Sequence, residues 1–580
     1  MFFRGCLSVQ MEPIIEFRDY TFQYRSQKKP TIHNIDLKIY PGEKILIIGP
    51  SGSGKSTLAH IINALIPCSY PGSGVGEVRV KGLDPAKEGV FGMSKHVGTV
   101  LQDTNGQFIG LTVAEDLAFA LENDALPREE ILKKVDEVAD IVDMKAFLKH
   151  SPSALSGGQK QRVSMGGVLV DDVDILLFDE PLANLDPATG KRTIALIDDI
   201  MKNRDLTVIM IEHRLEDVLY RDVDRIVLVN DGTIIADEEP DRLLSGNLLA
   251  EHGIREPLYL AAIRHAGMTV DPADRPQHIE SMNIGPYREG IRKWFHNMKP
   301  KEPSPKREPV LSIRNLSFRY EPGEPVLEDI NLEICAGEMI SIVGRNGAGK
   351  STLASLICGF IKPDEGEIFL KGEDISPLSR KERGEKIGFV MQSPGQMISK
   401  PMIREEVGLG LAVRGVPQAE IDKRVDETLK ICGLYPFRNW PVNALSFGQK
   451  KRVTIASILV MKPEILILDE PTAGQDYRHY TDIMEFLRSL NEDLGLTIIM
   501  ITHDMHLMLE YTDRAVVLTD HRILKDDTPA NILTNEETAD RACLKKTSLY
   551  DLSIKCGIEE ASEFAERFIE FERLNKEEKA

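Results

Sequence analysis

The sequence predicts an α/β protein in which one domain occurs twice in tandem. Three observations predict it: a set of motifs appears twice in the same order, each set begins with a glycine-rich loop between an apolar run and a helical pattern, and each later contains an apolar run that ends in two carboxylates. The chain has 580 residues, 42% of them hydrophobic and 28% charged. That length and composition suit two large soluble domains.

The repeat keeps its register over more than a hundred residues. The glycine-rich loops end in Lys55 and Lys350, an offset of 295, whereas all later landmarks share an offset of 290. These later pairs are Gln102 with Gln392, Ser156 with Ser446, Asp179 with Asp469, and His213 with His503. The difference falls before Gln102, where the first half carries the segment PGSGVGE. A repeat this long indicates duplicated domains, because solenoid units run roughly 20–50 residues.

Composition places the domain boundaries. Residues 1–11 are predicted to be a disordered extension, with Met11 as an alternative start, and residues 299–309 (KPKEPSPKREP) read as an extended linker. We therefore predict a first domain at 12–245, a helical extension and linker at 246–309, a second domain at 310–535 and a helical extension at 536–580. In the last segment, Phe564, Phe568 and Phe571 recur at helical intervals. This spacing favours an amphipathic helix packed on its own domain, with a partner-binding helix as the alternative.

Each glycine-rich loop matches the phosphate-binding pattern GxxxxGK[ST]. Glycines let backbone N–H groups close around phosphate oxygens, the lysine neutralises the β and γ phosphates, and the serine hydroxyl binds Mg²⁺. Because both matches follow an apolar strand and precede a helix, a chance glycine-rich turn is improbable. The predicted nucleotide-binding residues are Gly49, Pro50, Ser51, Gly52, Ser53, Gly54, Lys55, Ser56 and Thr57, and Gly344, Arg345, Asn346, Gly347, Ala348, Gly349, Lys350, Ser351 and Thr352.

The second apolar strand of each half ends in the carboxylate pair Asp179-Glu180 or Asp469-Glu470. Adjacent buried carboxylates are costly unless they have a function. The aspartate is placed to hold Mg²⁺, and the glutamate to orient or deprotonate an attacking water. Such a pair by itself is also found where a strand merely ends at a surface. Its position after a phosphate loop in both halves favours catalysis.

Charge and cysteine content exclude several classes of function. With 71 basic and 91 acidic side chains the net charge is −20, which disfavours broad nucleic-acid binding. The seven cysteines include no CxxC pair, so a zinc, iron–sulfur or dithiol motif is not indicated. No apolar run approaches the 18 residues of a membrane helix. Any membrane role would therefore act from the cytoplasmic side through a partner.

The segment Leu155-Ser-Gly-Gly-Gln159 resembles the signature motif of the ATP-binding cassette superfamily, and the resemblance covers nearly the whole chain. It implies two P-loop NTPase domains of the ABC type in tandem, each with a mixed sheet core and a helical subdomain, and ATP with Mg²⁺ as ligands. The family's motifs further imply the following roles: Q-loop glutamines that touch Mg²⁺ or the attacking water at Gln102 and Gln392, D-loop aspartates at Asp186 and Asp476, switch histidines at His213 and His503, and adenine-stacking aromatics at Tyr24 and Tyr320.

In that family two cassettes meet head to tail, and each ATP lies between one phosphate loop and the other cassette's signature. The resemblance thus implies pairing within this chain. One site would combine Lys55, Glu180 and His213 with Ser446, Gly448 and Gln449; the other would combine Lys350, Glu470 and His503 with Ser156, Gly157, Gly158 and Gln159. The second signature departs from the pattern, since Phe447 replaces its first glycine. Two competent but unequal ATP sites are the resulting hypothesis.

After Gln102 the chain reads DTNGQFIGLTVAEDLAFALEN, which is similar to energy-coupling factor ATPases, with the pattern QNPxxQFxxxTVxxDxAFxxEN. This resemblance implies a peripheral subunit on the cytoplasmic face of the cell membrane. Its partners would be an integral membrane coupling subunit and a small substrate-binding membrane subunit, and the cargo a vitamin or a cobalt- or nickel-like cation. The second half departs here, reading SPGQMISKPMIREEVGLGL. A tandem cassette ATPase acting on ribosomes and a sugar-importer ATPase are the alternatives.

Overall fold

A computed structural model describes residues 12–101, 104–183, 185–300 and 307–579 of the protein. The chain separates into two units, the first formed by residues 1–185 and 189–286, and the second by residues 186–188 and 287–580. The predicted extension at 1–11, the predicted Q-loop residue Gln102 and the middle of the predicted linker, 301–306, lie outside the described residues.

The first unit contains two sheets. Its six-stranded sheet has the order β5-β6-β7-β3-β8-β9 and is parallel except for the antiparallel edge strand β9. A three-stranded antiparallel sheet has the order β2-β1-β4. The strands are β1 (Ile15–Tyr24), β2 (Ile32–Ile39), β3 (Lys44–Ile48), β4 (Gly72–Val80), β5 (Val97–Val100), β6 (Ile175–Asp179), β7 (Thr207–Ile211), β8 (Arg225–Asn230) and β9 (Thr233–Glu238).

The residue patterns explain these two sheets. Strands β3 and β7 are buried along their whole length, as expected for parallel strands covered on both faces. Strand β2 alternates buried and exposed residues, as expected for an antiparallel strand with one wet face. The predicted mixed α/β sheet core is therefore confirmed.

Helices cover the large sheet and build a separate helical layer. Helix α1 follows β3 after the glycine-rich loop, and α4, α5 and α6 pack on one another as the predicted helical subdomain. Helix α4 begins with a capping box between Thr112 and Glu115. The helices of the first half are α1 (Lys55–Ile62), α2 (Leu65–Cys68), α3 (Pro85–Ser94), α4 (Val113–Asn123), α5 (Arg128–Ile141), α6 (Gly157–Leu169), α7 (Pro187–Arg204), α8 (Leu215–Val218), α9 (Pro240–Ser245), α10 (Leu248–Glu251) and α11 (Leu258–His265).

The second unit repeats this design. Its six-stranded sheet has the equivalent order β15-β16-β17-β12-β18-β19, and its antiparallel sheet is β11-β10-β13-β14. The strands are β10 (Pro309–Phe318), β11 (Leu327–Cys335), β12 (Met339–Val343), β13 (Glu365–Leu370), β14 (Glu373–Asp374), β15 (Ile387–Val390), β16 (Ile465–Asp469), β17 (Thr497–Ile501), β18 (Arg514–Thr519) and β19 (Arg522–Asp527).

Its helices likewise divide between the sheet and a helical layer, here made by α16, α17 and α18. Among the described residues, no helix is both long enough and apolar enough to cross a membrane. The helices are α12 (Arg288–Asn297), α13 (Lys350–Ile357), α14 (Arg380–Lys386), α15 (Pro394–Met397), α16 (Ile403–Val413), α17 (Gln418–Ile431), α18 (Phe447–Leu459), α19 (Tyr477–Leu494), α20 (Met505–Tyr511), α21 (Pro529–Leu533), α22 (Glu536–Arg541), α23 (Ser548–Cys556) and α24 (Ala561–Lys579).

The C-terminal helix α24 packs on its own unit, as its phenylalanine spacing predicts. The side chains of Phe564 and Phe568 are fully buried. The indole of Trp294, in α12, meets the rings of Phe564, Phe568 and Phe571 edge to face. Helix α12 precedes the second cassette in sequence, yet it belongs to the hydrophobic cluster at that unit's C-terminal end.

Candidate active sites

Each phosphate loop lies at the carboxyl end of the central strand of its sheet and leads into a helix. Helix α1 begins at Lys55 and α13 at Lys350, so each loop surrounds a helix N-terminus that favours anions. A Cβ atom at Gly49 would stand 2.0 Å from the Val229 carbonyl oxygen, and one at Gly344 would stand 2.0 Å from that of Leu518. The backbone thus requires glycine at the start of both loops.

The two loop lysines have equivalent surroundings. Nζ of Lys55 donates to the carbonyls of Gly49 and Pro50, both at 2.8 Å. Nζ of Lys350 donates to the carbonyls of Gly344 and Arg345 at 2.8 and 3.0 Å. Both ammonium groups therefore lie inside the loops where the predicted phosphates would bind. Burial lowers the pKa of Lys350 although Glu470 opposes the shift.

The aspartates that end β6 and β16 stand beside the loop serines. The Ser351 hydroxyl donates to Oδ2 of Asp469 at 3.2 Å. Burial and the neighbouring Glu180 raise the pKa of Asp179 to about 6, while a hydrogen bond from Ser56 opposes the shift. Burial likewise raises the pKa of Asp469. A serine hydroxyl next to a carboxylate is an all-oxygen donor set that suits Mg²⁺, and a bound cation would act to lower the raised pKa of both aspartates.

Each glutamate contacts the predicted switch histidine of its own unit. Oε1 of Glu180 is 3.1 Å from Nε2 of His213, and Oε1 of Glu470 is 2.7 Å from Nδ1 of His503. Burial acts to raise the pKa of Glu470, but His503 and Lys350 together outweigh it and hold that pKa below its usual range. The carboxylate is thereby kept charged, as a base or a water-orienting group requires.

Backbone strain accompanies these glutamates. Glu180 has φ of 51° and Glu470 has φ of 46°, in the left-handed region that costs a non-glycine residue about 1–2 kcal/mol. Their backbone N–H groups donate to the carbonyls of Ile211 and Ile501, at the ends of the neighbouring strands. The same conformation at both glutamates shows that the two halves build this turn in the same way.

The signature serines and glutamines make capping boxes at the N-termini of α6 and α18. The backbone N–H of Ser156 donates to the Gln159 side chain at 2.9 Å, and that of Ser446 to Gln449 at 3.0 Å. The boxes hold two 13-residue helices whose first residues, Gly157 and Phe447, are exposed. Phe447 presents a half-exposed ring at the start of the second helix. The corresponding residue of the first helix is Gly157.

The remaining predicted residues have simple structural positions. Tyr24 and Tyr320 place their hydroxyls 3.1 and 3.2 Å from Oγ1 of Thr57 and Thr352, directly after the loop serines. Asp476 caps α19 through the backbone N–H of His479 at 2.8 Å. Asp186 directly precedes α7. The adenine-stacking and D-loop roles of these residues stay predictions.

Sequence reasoning missed a buried lysine next to the second Q-loop. Nζ of Lys451 donates to the carbonyls of Met391 and Gln392 at 3.0 and 2.8 Å, and burial lowers the pKa of Lys451 to about 8. The residue at the same register in the first unit is Gln161. The available signal was the difference between KQRV in the first half and KKRV in the second.

Comparisons with known proteins show a family for the chain. The ABC transporter family pattern matches residues 32–183 and 327–473, and that of an ATP-binding cassette cobalt transporter family matches residues 246–318. A Clostridium perfringens protein named as an ABC transporter ATP-binding protein is 54% identical over 565 residues, covering 97% of this chain and 99% of its own. Proteins of the same name from Enterococcus faecalis and Vibrio vulnificus are 55% and 49% identical over 564 and 565 residues, covering 97% of this chain and 99% and 98% of their own.

A solved structure was also found. It is that of CbiO1 from Clostridium perfringens, described as part of the ABC transporter complex CbiONQ, with 37% sequence identity and a TM-score of 0.38. The match covers 40% of this chain and 94% of that one.

Proposed function

The chain belongs to the ABC transporter family of ATP-binding proteins and is an ATPase, and we propose that it is the energy-coupling subunit of an importer of the energy-coupling factor type. In this proposal it lies on the cytoplasmic side of the cell membrane and binds an integral coupling subunit that works with a small substrate-binding membrane subunit. The cargo class is a vitamin or a cobalt- or nickel-like cation. The match of residues 246–318 to a cobalt-transporter family supports the cation.

The observation that carries the proposal is the apolar surface beside the first Q-loop position. Leu101 precedes Gln102, and Ile109 and Leu111 follow in the segment that resembles energy-coupling ATPases. Their side chains are 38%, 63% and 81% exposed. A contiguous patch of exposed apolar side chains is typical of a surface that binds a partner, and the closeness of these three residues in the sequence supports such a patch here. A partner segment bound there would be moved when ATP binding changes the conformation of the cassette.

The second unit differs at these positions. At the same register, Ser399 and Pro401 replace Ile109 and Leu111, and Met391 replaces Leu101. The first cassette therefore offers the more apolar surface to a membrane partner. We therefore expect the coupling subunit to contact the two cassettes through two different segments, the more apolar one at the first cassette.

We further propose that the two cassettes pair within one chain, so that each ATP is held by one phosphate loop and the opposite signature. Ser51 and Ser446 are both exposed and suit replacement by cysteine in a Cys68→Ser background. ATP should promote a disulfide within a single chain in the Ser51→Cys/Ser446→Cys variant. Cross-linked dimers of chains would contradict intramolecular pairing.

Affinity purification of the tagged chain from gently solubilised native membranes, followed by mass spectrometry, tests the proposed function. The expected result is a multi-span membrane protein together with a small hydrophobic one. Recovery of ribosomal proteins alone would favour a translation factor. Recovery of a permease with a soluble sugar-binding protein would favour a sugar importer.

A further inference from the structure

A buried carboxylate in the first unit distinguishes its switch loop from that of the second. Glu212 directly precedes the switch histidine His213 and is only 2% exposed. At the same register the second unit has Thr502 before His503. A carboxylate buried this deeply requires hydrogen-bond donors around it, and its partners show what it holds in place.

Both oxygens of Glu212 accept backbone N–H groups. Oε1 accepts from Leu182 at 2.6 Å. Oε2 accepts from His213 at 2.9 Å and from Arg214 at 3.2 Å. One side chain therefore joins the loop that carries His213 to the turn that follows Glu180. Burial raises the pKa of Glu212, whereas Arg214 and the N–H groups of Leu182 and Arg214 act to lower it.

Arg214 strengthens the same link from the opposite direction. Its guanidinium donates to the carbonyls of Leu182 and Leu185 at 2.9 and 3.2 Å, and to Asp217 at 2.6 Å. The backbone N–H of Leu182 donates to Glu212, and the carbonyl of Leu182 accepts from Arg214. Both backbone groups of Leu182 therefore hold the turn.

The second unit uses a different arrangement. Oγ1 of Thr502 donates to Oε2 of Glu470 at 3.3 Å and accepts the N–H of Asp504 at 2.9 Å. Asp504 in turn caps α20 through the N–H groups of His506 and Leu507. There the hydroxyl contacts the catalytic carboxylate directly, and Asp504 stabilises the following helix.

We infer that Glu212 is a positioning residue for the first ATP site, which, with Arg214, fixes His213 relative to Glu180 by tying the switch loop to the turn after Glu180. The contact of 3.1 Å between Glu180 and His213 depends on this tie. The Thr-His-Asp sequence of the second unit performs the same task through Thr502. The inference rests on the ATPase activity and not on the identity of the membrane partner.

The test uses the full chain carrying Glu470→Gln, so that turnover reports the first site. In this background Glu212→Thr and Glu212→Gln should each lower kcat by about tenfold to a hundredfold, the range expected when catalytic groups are misplaced by about 1 Å. The KM for ATP should stay within about twofold, because the phosphate loop is untouched. Glu212→Thr/Arg214→Asp, which installs the second unit's sequence, should recover most of the lost kcat.

Glu43→Gln is the matched control. Glu43 also accepts a backbone N–H, that of Tyr40 at 2.8 Å. It directly precedes β3, so it lies at the amino-terminal ends of the parallel strands, away from the ATP site at their carboxyl ends. Its substitution should leave kcat unchanged. An unchanged kcat in both Glu212 variants would overturn the inference. Two further results would overturn it, because each would mark Glu212 as merely structural. One is a joint loss of kcat, affinity for ATP and thermal stability that the double variant does not recover. The other is failure of both single variants to fold.

Discussion

Substitution of Phe568 by alanine tests whether α24 is held by α12 within the second unit. The Phe568 side chain is fully buried, and its ring meets Trp294 with centroids 6.2 Å apart. Removing a buried phenylalanine ring costs about 3–5 kcal/mol, which includes the loss of an edge-to-face contact. For a unit of this size the cost corresponds to a fall of roughly 10 °C in the unfolding temperature of the second unit.

Differential scanning calorimetry of the full chain measures this effect, because the transition that moves identifies the unit that carries α24. Leu574→Ala is the control in the same helix, since Leu574 is 43% exposed and its loss should change stability by less than about 0.5 kcal/mol. Equal, small shifts for the two variants would refute the packing of α24 on α12. The phenylalanines would then be available to a partner.

The remaining predictions concern chemistry. Glu180→Gln and Glu470→Gln should each lower steady-state ATP hydrolysis, to different extents. The double variant should lower it about a hundredfold or more, because both catalytic bases are lost. A single variant with unchanged turnover would show that its site is not hydrolytic. Iodoacetamide at pH 8 should modify exposed Cys68 in the native protein but leave Cys358 and Cys432 unmodified until urea is added, because burial raises the pKa of each of these two thiols to about 12. Peptide mapping identifies the labelled cysteines. Labelling of Cys358 or Cys432 as fast as that of Cys68 would contradict this prediction.

Much of the fold was predictable because its strongest signals are local. The loops that end in Lys55 and Lys350 follow short apolar runs, and such runs form buried parallel strands whichever helices cover them. The place of α12 was not predictable from its sequence alone. Its polar composition resembles an extension of the first cassette, and only the position of Trp294 against the phenylalanines of α24 shows which unit it joins.

The candidate sites were likewise predictable from the sequence only in part. The residue pattern identified the glutamates and the family resemblance implied the switch histidines, and the structure places each pair 3.1 or 2.7 Å apart in its unit. Sequence reasoning did not identify Glu212, Arg214 or Lys451, because these residues act on backbone groups that are distant in sequence. The one available signal was the departure of the two halves from each other at these positions, Glu212 against Thr502 among them.

The most direct test of the central claim, that the chain has two ATP sites with one phosphate loop in each, is the number of nucleotides bound per chain. Equilibrium binding of Mg²⁺–ATP to the Glu180→Gln/Glu470→Gln variant should give two ATP per chain, and either Lys55→Ala or Lys350→Ala should lower the number to one. One ATP per chain in the double variant, or a number that neither lysine substitution changes, would contradict the account.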